Sequence, residues 1–197
     1  MARKQAYTFM PVTPDRWNDL ERLFGPRGAC SGCWCMWYRI KRSEWSSNAN
    51  AGNRRAFKQI VDSGGTPGLL AYVHDQPSGW VSVAPREDFS SLERSNVLKR
   101  VDDKPVWSIV CFFVSKEHRR QGLSQALLEA AVKYAAEHGA TLVEGYPVDR
   151  LEGKKFSSVE AFPGSVASFR QAGFREAARR SPTRPIMRRR VRPRPKG

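Results

Sequence analysis

The stretch Val114-Ser115-Lys116-Glu117-His118-Arg119-Arg120-Gln121-Gly122-Leu123-Ser124 joins a nearly continuous apolar run to the most regularly periodic segment of the chain. Upstream, residues 106–114 read VWSIVCFFV, the pattern of a central strand covered on both faces. Downstream, Leu123, Ala126, Leu127, Ala130, Ala131 and Tyr134 recur at helical spacing, which predicts a helix over about 122–138, closed by His138-Gly139. Between them, the small residues Gly122 and Ser124 let the backbone turn tightly and approach a ligand. A helix that starts here leaves several N–H groups unpaired at the positive end of its dipole, and Arg119 and Arg120 add full charges. Such a junction is a cradle for a pyrophosphate. The chain has neither GxxxxGK[ST] nor GxGxxG after a strand, which disfavours a P-loop and a dinucleotide-binding fold.

Outward from this junction the pattern is one of alternating elements. Thr13-Pro14-Asp15 reads as an N-cap, an N1 proline and a first-turn acid, followed by an apolar face of Trp17, Leu20, Leu23 and Phe24. A second helix is expected over about 50–62. Residues 68–74 and 79–85 flank Asp75-Gln76-Pro77-Ser78 and predict a hairpin. A short helix near 89–95 fits the polar segment 86–105. Beyond the long helix come a strand at 140–146, a helix at 164–172, and strands near 173–180 and 183–190. The order α-α-β-β-β-α-β-α-β-β describes a mixed α/β sheet with an antiparallel start and a central β-α-β crossover. With 197 residues, the chain fits one domain over 1–190 and a basic Pro/Arg tail at 191–197.

Composition narrows the function classes. Hydrophobic residues make up 40%, too many for wholesale disorder, and no apolar run approaches the roughly 20 residues of a membrane span. The first ten residues have no apolar stretch after their basic pair, so a cytoplasmic protein without a membrane partner is expected. The net charge is +15, and residues 179–197 hold eight Arg, one Lys and no acid, which leaves +6 on residues 1–178. That terminus reads either as an electrostatic arm for nucleic acid or another polyanion, or as a solubilising tail. The second reading is favoured here.

The strand ending at Val114, followed by Arg119-x-x-Gly122-x-Ser124, resembles the acetyl-CoA signature of the GNAT superfamily of N-acetyltransferases, R/Q-x-x-G-x-G/A opening a helix. Ser124 stands where that family prefers Gly or Ala. Ala167-Ser168-Phe169-Arg170-Gln171-Ala172-Gly173-Phe174 resembles the family's A-x-x-Y-x-x-x-G-F segment, so the resemblance extends over about residues 8–190. It implies a GNAT-like mixed α/β fold: a central, mostly antiparallel sheet, flanked by helices on both faces, with a splayed parallel pair at 106–114 and 140–146. It also implies acetyl-CoA as co-substrate, bound through the backbone of Phe112, Phe113 and Val114, through Arg119, Arg120, Gln121, Gly122, Leu123 and Ser124, and near Ser168 and Phe169. The implied reaction is direct transfer to a primary amine of a small molecule in a ternary complex, with no metal. A protein amine or aminoacyl-tRNA as acceptor is the alternative, and a non-catalytic nucleic-acid-binding protein on the same fold is a second. The resemblance leaves a homodimer open.

The family's usual acid and base positions fall on Phe169 and Ser108, neither of which supplies that chemistry. Tyr146 as acid, and Glu87 or Glu144 as base, are the substitutes, set against a packed strand aromatic and a solvated loop acid. The other unusual stretch is Cys30-Ser31-Gly32-Cys33-Trp34-Cys35-Met36-Trp37-Tyr38-Arg39. Its C-x-x-C could share zinc, but no second pair exists and the remaining cysteine is Cys111. A disulfide is disfavoured without an export signal. Trp34, Trp37, Tyr38 and Trp45 form either an acceptor-site wall, with Arg39, Lys41 and Arg42 receiving an acidic group, or a plug for one end of the core. Lys154-Lys155 suits either a cofactor 3′-phosphate or solvated surface.

Overall fold

The computed structural model describes residues 6–149 and 162–193; Lys154 and Lys155 lie outside them. Seven strands form one sheet: β1 (Thr8–Pro11), β2 (Gly68–Val73), β3 (Gln76–Pro85), β4 (Trp107–Val114), β5 (Leu142–Gly145), β6 (Arg175–Arg179) and β7 (Pro185–Arg190). Their order is β1-β2-β3-β4-β5-β7-β6. Only β4 and β5 pair in parallel; every other neighbouring pair is antiparallel. The helices are α1 (Trp17–Phe24), α2 (Arg42–Asp62), α3 (Ser90–Glu93), α4 (Leu123–Glu137) and α5 (Val166–Gln171). This is the mixed, helix-flanked sheet expected from the sequence.

The crossover helix α4 buries Leu123, Leu127, Leu128, Ala131, Val132 and Ala135 against Leu69, Val81, Val83, Ile109 and Val143 of the sheet. The buried side is wider than the predicted stripe: Leu128 and Val132 are inside, while Ala126 and Ala130 are half-exposed. Each fully buried Leu contributes roughly 1.5–3 kcal/mol relative to an exposed one. On the opposite face, Trp17, Leu20, Leu23 and Phe24 of α1 pack with Phe57 and Val61 of α2 and with Trp80. A third cluster, beside the second, joins Tyr38, Phe89, Leu92, Val110, Tyr146 and Ile186.

Three details depart from the sequence expectation. The four-residue edge strand β1 was not anticipated; it pairs with β2 from Thr8↔Tyr72 to Pro11↔Leu69, and its terminal proline is tolerated at an edge. The hairpin turns at His74 and Asp75, both at positive φ (46° and 62°), rather than at Asp75–Ser78. Two left-handed residues match the twist of the flanking strands, and Pro77 falls at an irregularity of the β2–β3 ladder. Helix α2 begins at Arg42 rather than near residue 50, and breaks at Ala49, where φ is 49°. Just past the break, Asn50 and Asn53 tie the helix to the preceding loop through Pro26 and Gly32 carbonyls at 2.7 and 3.0 Å.

Much of the basic terminus is part of the fold rather than a tail. Arg179 bonds Asp149 and Glu176, and Arg180 donates to the carbonyls of Val97, Lys99 and Arg100. Arg188 bonds Glu144 and Asp102, and Arg189 bonds Glu129 and the Ala172 carbonyl.

The Phe169 ring, fully buried on α5, lies over β5 at Gly145, where a Cβ would overlap it. Gly145→Ala is therefore expected to lower stability by about 1–3 kcal/mol, the cost of overpacking. Phe169→Leu in the same background should recover part of that loss, a non-additivity that denaturant titration of the four variants of the cycle would detect. Additive losses would show that the two residues do not press on each other.

Candidate active site

The parallel pairing of β4 and β5 covers three residue pairs: Trp107↔Val143, Ser108↔Glu144 and Ile109↔Gly145. It ends where β4 carries an extra residue. Ser82 faces Cys111 and Val83 faces Ile109, so Val110 is bulged out of the β3–β4 ladder. Side-chain placement reports the same shift: Ile109 packs with α4, Val110 and Cys111 both pack on the opposite side, and Phe112 and Val114 return to the α4 side. A bulge bends and over-twists its strand. Beyond it, among the described residues, β3 is the one strand laddered with β4, and β4 and β5 part beside Phe112–Val114 to leave a gap between them. The amide of Phe112 points into that gap and donates to the Phe162 carbonyl at 2.7 Å. Strand alternation aims the Val114 amide the same way and turns Phe113 toward β3.

The gap leads to the start of α4. A 3-10 turn at Lys116–His118 is pinned by Ser115 Oγ and His118 Nδ1, 2.9 Å apart. Arg119 Nε donates to the Val114 carbonyl at 3.1 Å and closes the loop onto the strand. Arg120 sits at φ 61°, rare for a residue with a side chain, and Gly122 caps the helix at φ 84°. A Cβ at Gly122 would meet nothing within 4 Å, so the backbone conformation demands the glycine, not crowding. Among the described residues, the amides of Arg120 through Ser124 donate to no backbone carbonyl outside helices and strands. Arg119, Arg120, Gln121, Gly122 and Ser124 are exposed and Leu123 is buried. Tyr7 OH donates to the Gln121 carbonyl at 2.7 Å, a strut from a residue 114 positions away that no local pattern reveals.

Tyr146 and Ser108 meet as part of a buried charge network. Glu144 is fully buried between two guanidiniums: Arg86 Nη1 donates to Oε1 at 2.8 Å and Arg188 Nε to Oε2 at 2.6 Å. Sheet register places these groups, since Glu144 is paired with Ser108 in β4 and with Arg188 in β7. Tyr146 OH donates to Glu144 at 2.6 Å, accepts from Arg86 at 2.6 Å, and lies 2.8 Å from Ser108 Oγ. Burial, then the neighbouring Glu144 charge, pushes the phenol well above its ordinary pKa. Tyr146 is 1% exposed and Ser108 0%, with their hydrogen-bonding groups engaged. The phenol weighed as an acid at Tyr146 is therefore closed off from solvent in this structure, together with Ser108 at the family's base position. Glu87 is not brought to them; it lies in an exposed turn, where a 2.8 Å hydrogen bond from Arg100 holds its carboxyl below the usual range.

Sequence reading found Glu144 and Tyr146 but not Arg86 or Arg188. A lone acid in the apolar strand LVEG signals that a partner is required. Which arginines serve follows only from the register.

The Cys/Trp segment divides. Trp34 is buried and stacked on Trp17 at 6.0 Å, with its Nε1 on Asn50 Oδ1, so it belongs to the core rather than to a wall. Arg39 is also buried, over the Phe89 ring and 3.6 Å from Asp88. Trp37 is half-buried, edge-on to Trp45, with Arg42 stacked 3.5 Å over its ring. Tyr38 packs on Phe162, whose carbonyl reaches into the gap. Cys35 and Cys111 lie 3.8 Å apart at sulfur, and the Trp80 indole donates to Cys35 at 2.9 Å. Burial pushes the Cys33 thiol up to about 11. Among the described residues no cluster of three or more His, Cys, Asp or Glu could hold a metal ion. None of the described helices is long and apolar enough to cross a membrane. At the start of α5, Ser165 Oγ accepts from the Ser168 amide and lies 2.9 Å from Ser168 Oγ; the neighbouring Phe169 is fully buried.

Removing one partner of a buried ion pair leaves the other charge unsatisfied. Glu144→Gln should therefore lower stability by about 3 kcal/mol or more by chemical denaturation. Tyr146→Phe should cost about 1–3 kcal/mol while leaving turnover within about threefold of wild type. A fall of about a hundredfold or more in turnover would restore an acid role for the phenol.

Comparisons with known proteins agree with this geometry. Solved structures with the same fold include a PaiA N-acetyltransferase from Thermoplasma acidophilum in complex with coenzyme A (TM-score 0.53, 12% identity, 94% of this chain and 99% of that one). A GNAT-family acetyltransferase from Listeria monocytogenes gives a TM-score of 0.55 at 11% identity, with 94% and 95% covered. The ribosomal-protein-S18-alanine N-acetyltransferase of Escherichia coli gives 0.50 at 14% identity, with 95% of each chain covered. No curated protein sequence matches the chain significantly. A profile described as the acetyltransferase (GNAT) family matches residues 34–146, more than half of the chain and inclusive of the bulged strand, the helix-start cradle and β5. The chain belongs to the GNAT acetyltransferase family.

Proposed function

We propose that this protein transfers an acetyl group from acetyl-CoA to an amine by direct attack in a ternary complex. The carrying observation is the continuity between the gap beside Phe112–Val114 and the helix start at Gly122, which suits an extended chain ending in a pyrophosphate. The coenzyme A in the Thermoplasma acidophilum structure supports the reading. When bound, the donor supplies an activated thioester carbonyl.

The residues of this chain supply binding and polarity. Amides of 120–124 and the Arg119 and Arg120 guanidiniums oppose the pyrophosphate charge. The gap-facing amides of Phe112 and Val114 serve the linker arm, with Phe112 exchanging its bond to Phe162 for one to the ligand. A gap-facing amide also stabilises the oxyanion formed when the amine attacks. The proton shed by the amine passes to water, because the Arg100 bond makes Glu87 a poor base. A leaving thiolate with a pKa near the ordinary thiol value of about 8.5 needs little help from an acid, and Ser168 is the partly accessible hydroxyl on that side.

Acetyl-CoA should raise the melting temperature, and a charge reversal at Arg119 combined with Gly122→Val should abolish the shift. A wild type without a shift would count decisively against the reading. Because no side chain of the candidate set is a strong base, kcat/KM should rise with pH up to the acceptor amine's own pKa. A plateau reached already near pH 5 would reveal a carboxylate base instead.

A further inference from the structure

Arg184 stands apart among the arginines around the mouth of the gap. It sits in the turn between β6 and β7, where its Nη2 donates to Tyr38 OH at 3.1 Å and to the Tyr146 carbonyl at 3.2 Å. Both acceptors are uncharged. Among the described residues no carboxylate lies within ion-pair distance of it and none gives its buried Nε a hydrogen-bond partner. The acids nearest it along these contacts are already committed: Asp149, whose amide bonds the Thr183 carbonyl, to Arg179, and Glu144, bonded by Tyr146, to Arg86 and Arg188. Arg42, over Trp37, is a second cation with no ion pair among the described residues. A guanidinium partly withdrawn from water with a donor unmet is costly unless an anion docks on it.

Its position relates it to the acceptor rather than to the donor's phosphates. Tyr38, which it bonds, packs on Phe162 at 6.3 Å, and the Phe162 carbonyl receives the gap-facing amide of Phe112. Tyr38 and Tyr146 belong to the cluster on the face opposite α4, whereas the pyrophosphate cradle is the start of α4 itself.

We propose that Arg184 receives a carboxylate carried by the acceptor, so that the preferred acceptors are amines that also bear a carboxylate, such as amino acids and short peptides with a free C-terminus. The inference rests on the acetyltransferase reading above. It departs from the expectation that Arg39 meets an acidic group, because Arg39 is buried and holds Asp88. With Nη2 engaged and Nε buried, Nη1 is the donor that meets the ligand in a charge-assisted bond.

The test is a panel of amino acids and dipeptides, each paired with its C-terminal amide, followed by mass spectrometry of the acetylated products. Binding of the N-acetylated acids and amides to the CoA-loaded protein is measured by calorimetry in parallel. Acids should exceed their amides by about tenfold or more in kcat/KM, chiefly through KM, and likewise in affinity. Arg184→Met should remove that preference, Arg184→Lys should restore part of it, and both should still bind acetyl-CoA by calorimetry. An equal response to acids and amides, a preference for amides, or a preference that survives Arg184→Met overturns the proposal. Acetyl-CoA binding in the wild type is the separate control: if it is absent, the donor reading falls together with this one; if it is present without a preference for acids, this inference alone fails.

Discussion

One extra residue in a central strand organises the site. Val110 stands out of register between β3 and β4, and the parallel contact with β5 stops at Ile109↔Gly145, next to the bulge. A regular strand would have let β4 and β5 pair further and left no gap. The bulge also puts Val110 and Cys111 on one side, so a single irregularity sets both where the sheet opens and which side chains line each face. The start of α4 at Gly122 thus follows on a strand that has already parted from its neighbour.

An open sheet centre needs reinforcement nearby, and the buried network around Glu144 supplies it. A carboxylate between two guanidiniums, with a phenol and a hydroxyl completing the shell, joins β4, β5, β7 and the segment after β3 immediately beside the gap. Such an arrangement adds little net stability over an apolar core, but it tolerates no other register: moving β5 by one residue would strand the charge. The hydroxyls of Tyr146 and Ser108 complete this shell.

The same logic changes the meaning of the basic terminus. A +15 chain suggests polyanion binding, and residues 179–197 concentrate that charge. In the folded protein, Arg179, Arg180, Arg188 and Arg189 spend their donors on acids and carbonyls of the sheet and its loops. Arg180 and Arg184 both have neutral partners among the described residues, but Arg184 alone of these arginines leaves a buried Nε unmet there, and that unmet donor is the basis of the ligand contact proposed for it.

The sequence by itself determined most of the elements and the tight turn that starts α4. A strand of nearly unbroken apolar residues, a small-residue turn with two arginines and a periodic helix are local patterns, and local patterns are fixed by short-range sterics and burial. The Ala167–Phe174 segment and the mixed sheet were legible for the same reason. The tertiary structure alone decided the rest. The bulge at Val110 depends on what β3 offers opposite it. The hairpin turn moved to His74-Asp75 because pairing with β2, not the Asp-Gln-Pro-Ser composition, sets the register. Phe169 is fully buried because Gly145 leaves room for its ring. The Tyr146 hydroxyl is held in the Glu144 network because Arg86, 60 residues away in sequence, meets it in space. Contacts between residues distant along the chain have no signature in either neighbourhood, and burial, which decides whether a polar group can react or must be satisfied, is a property of the assembled sheet.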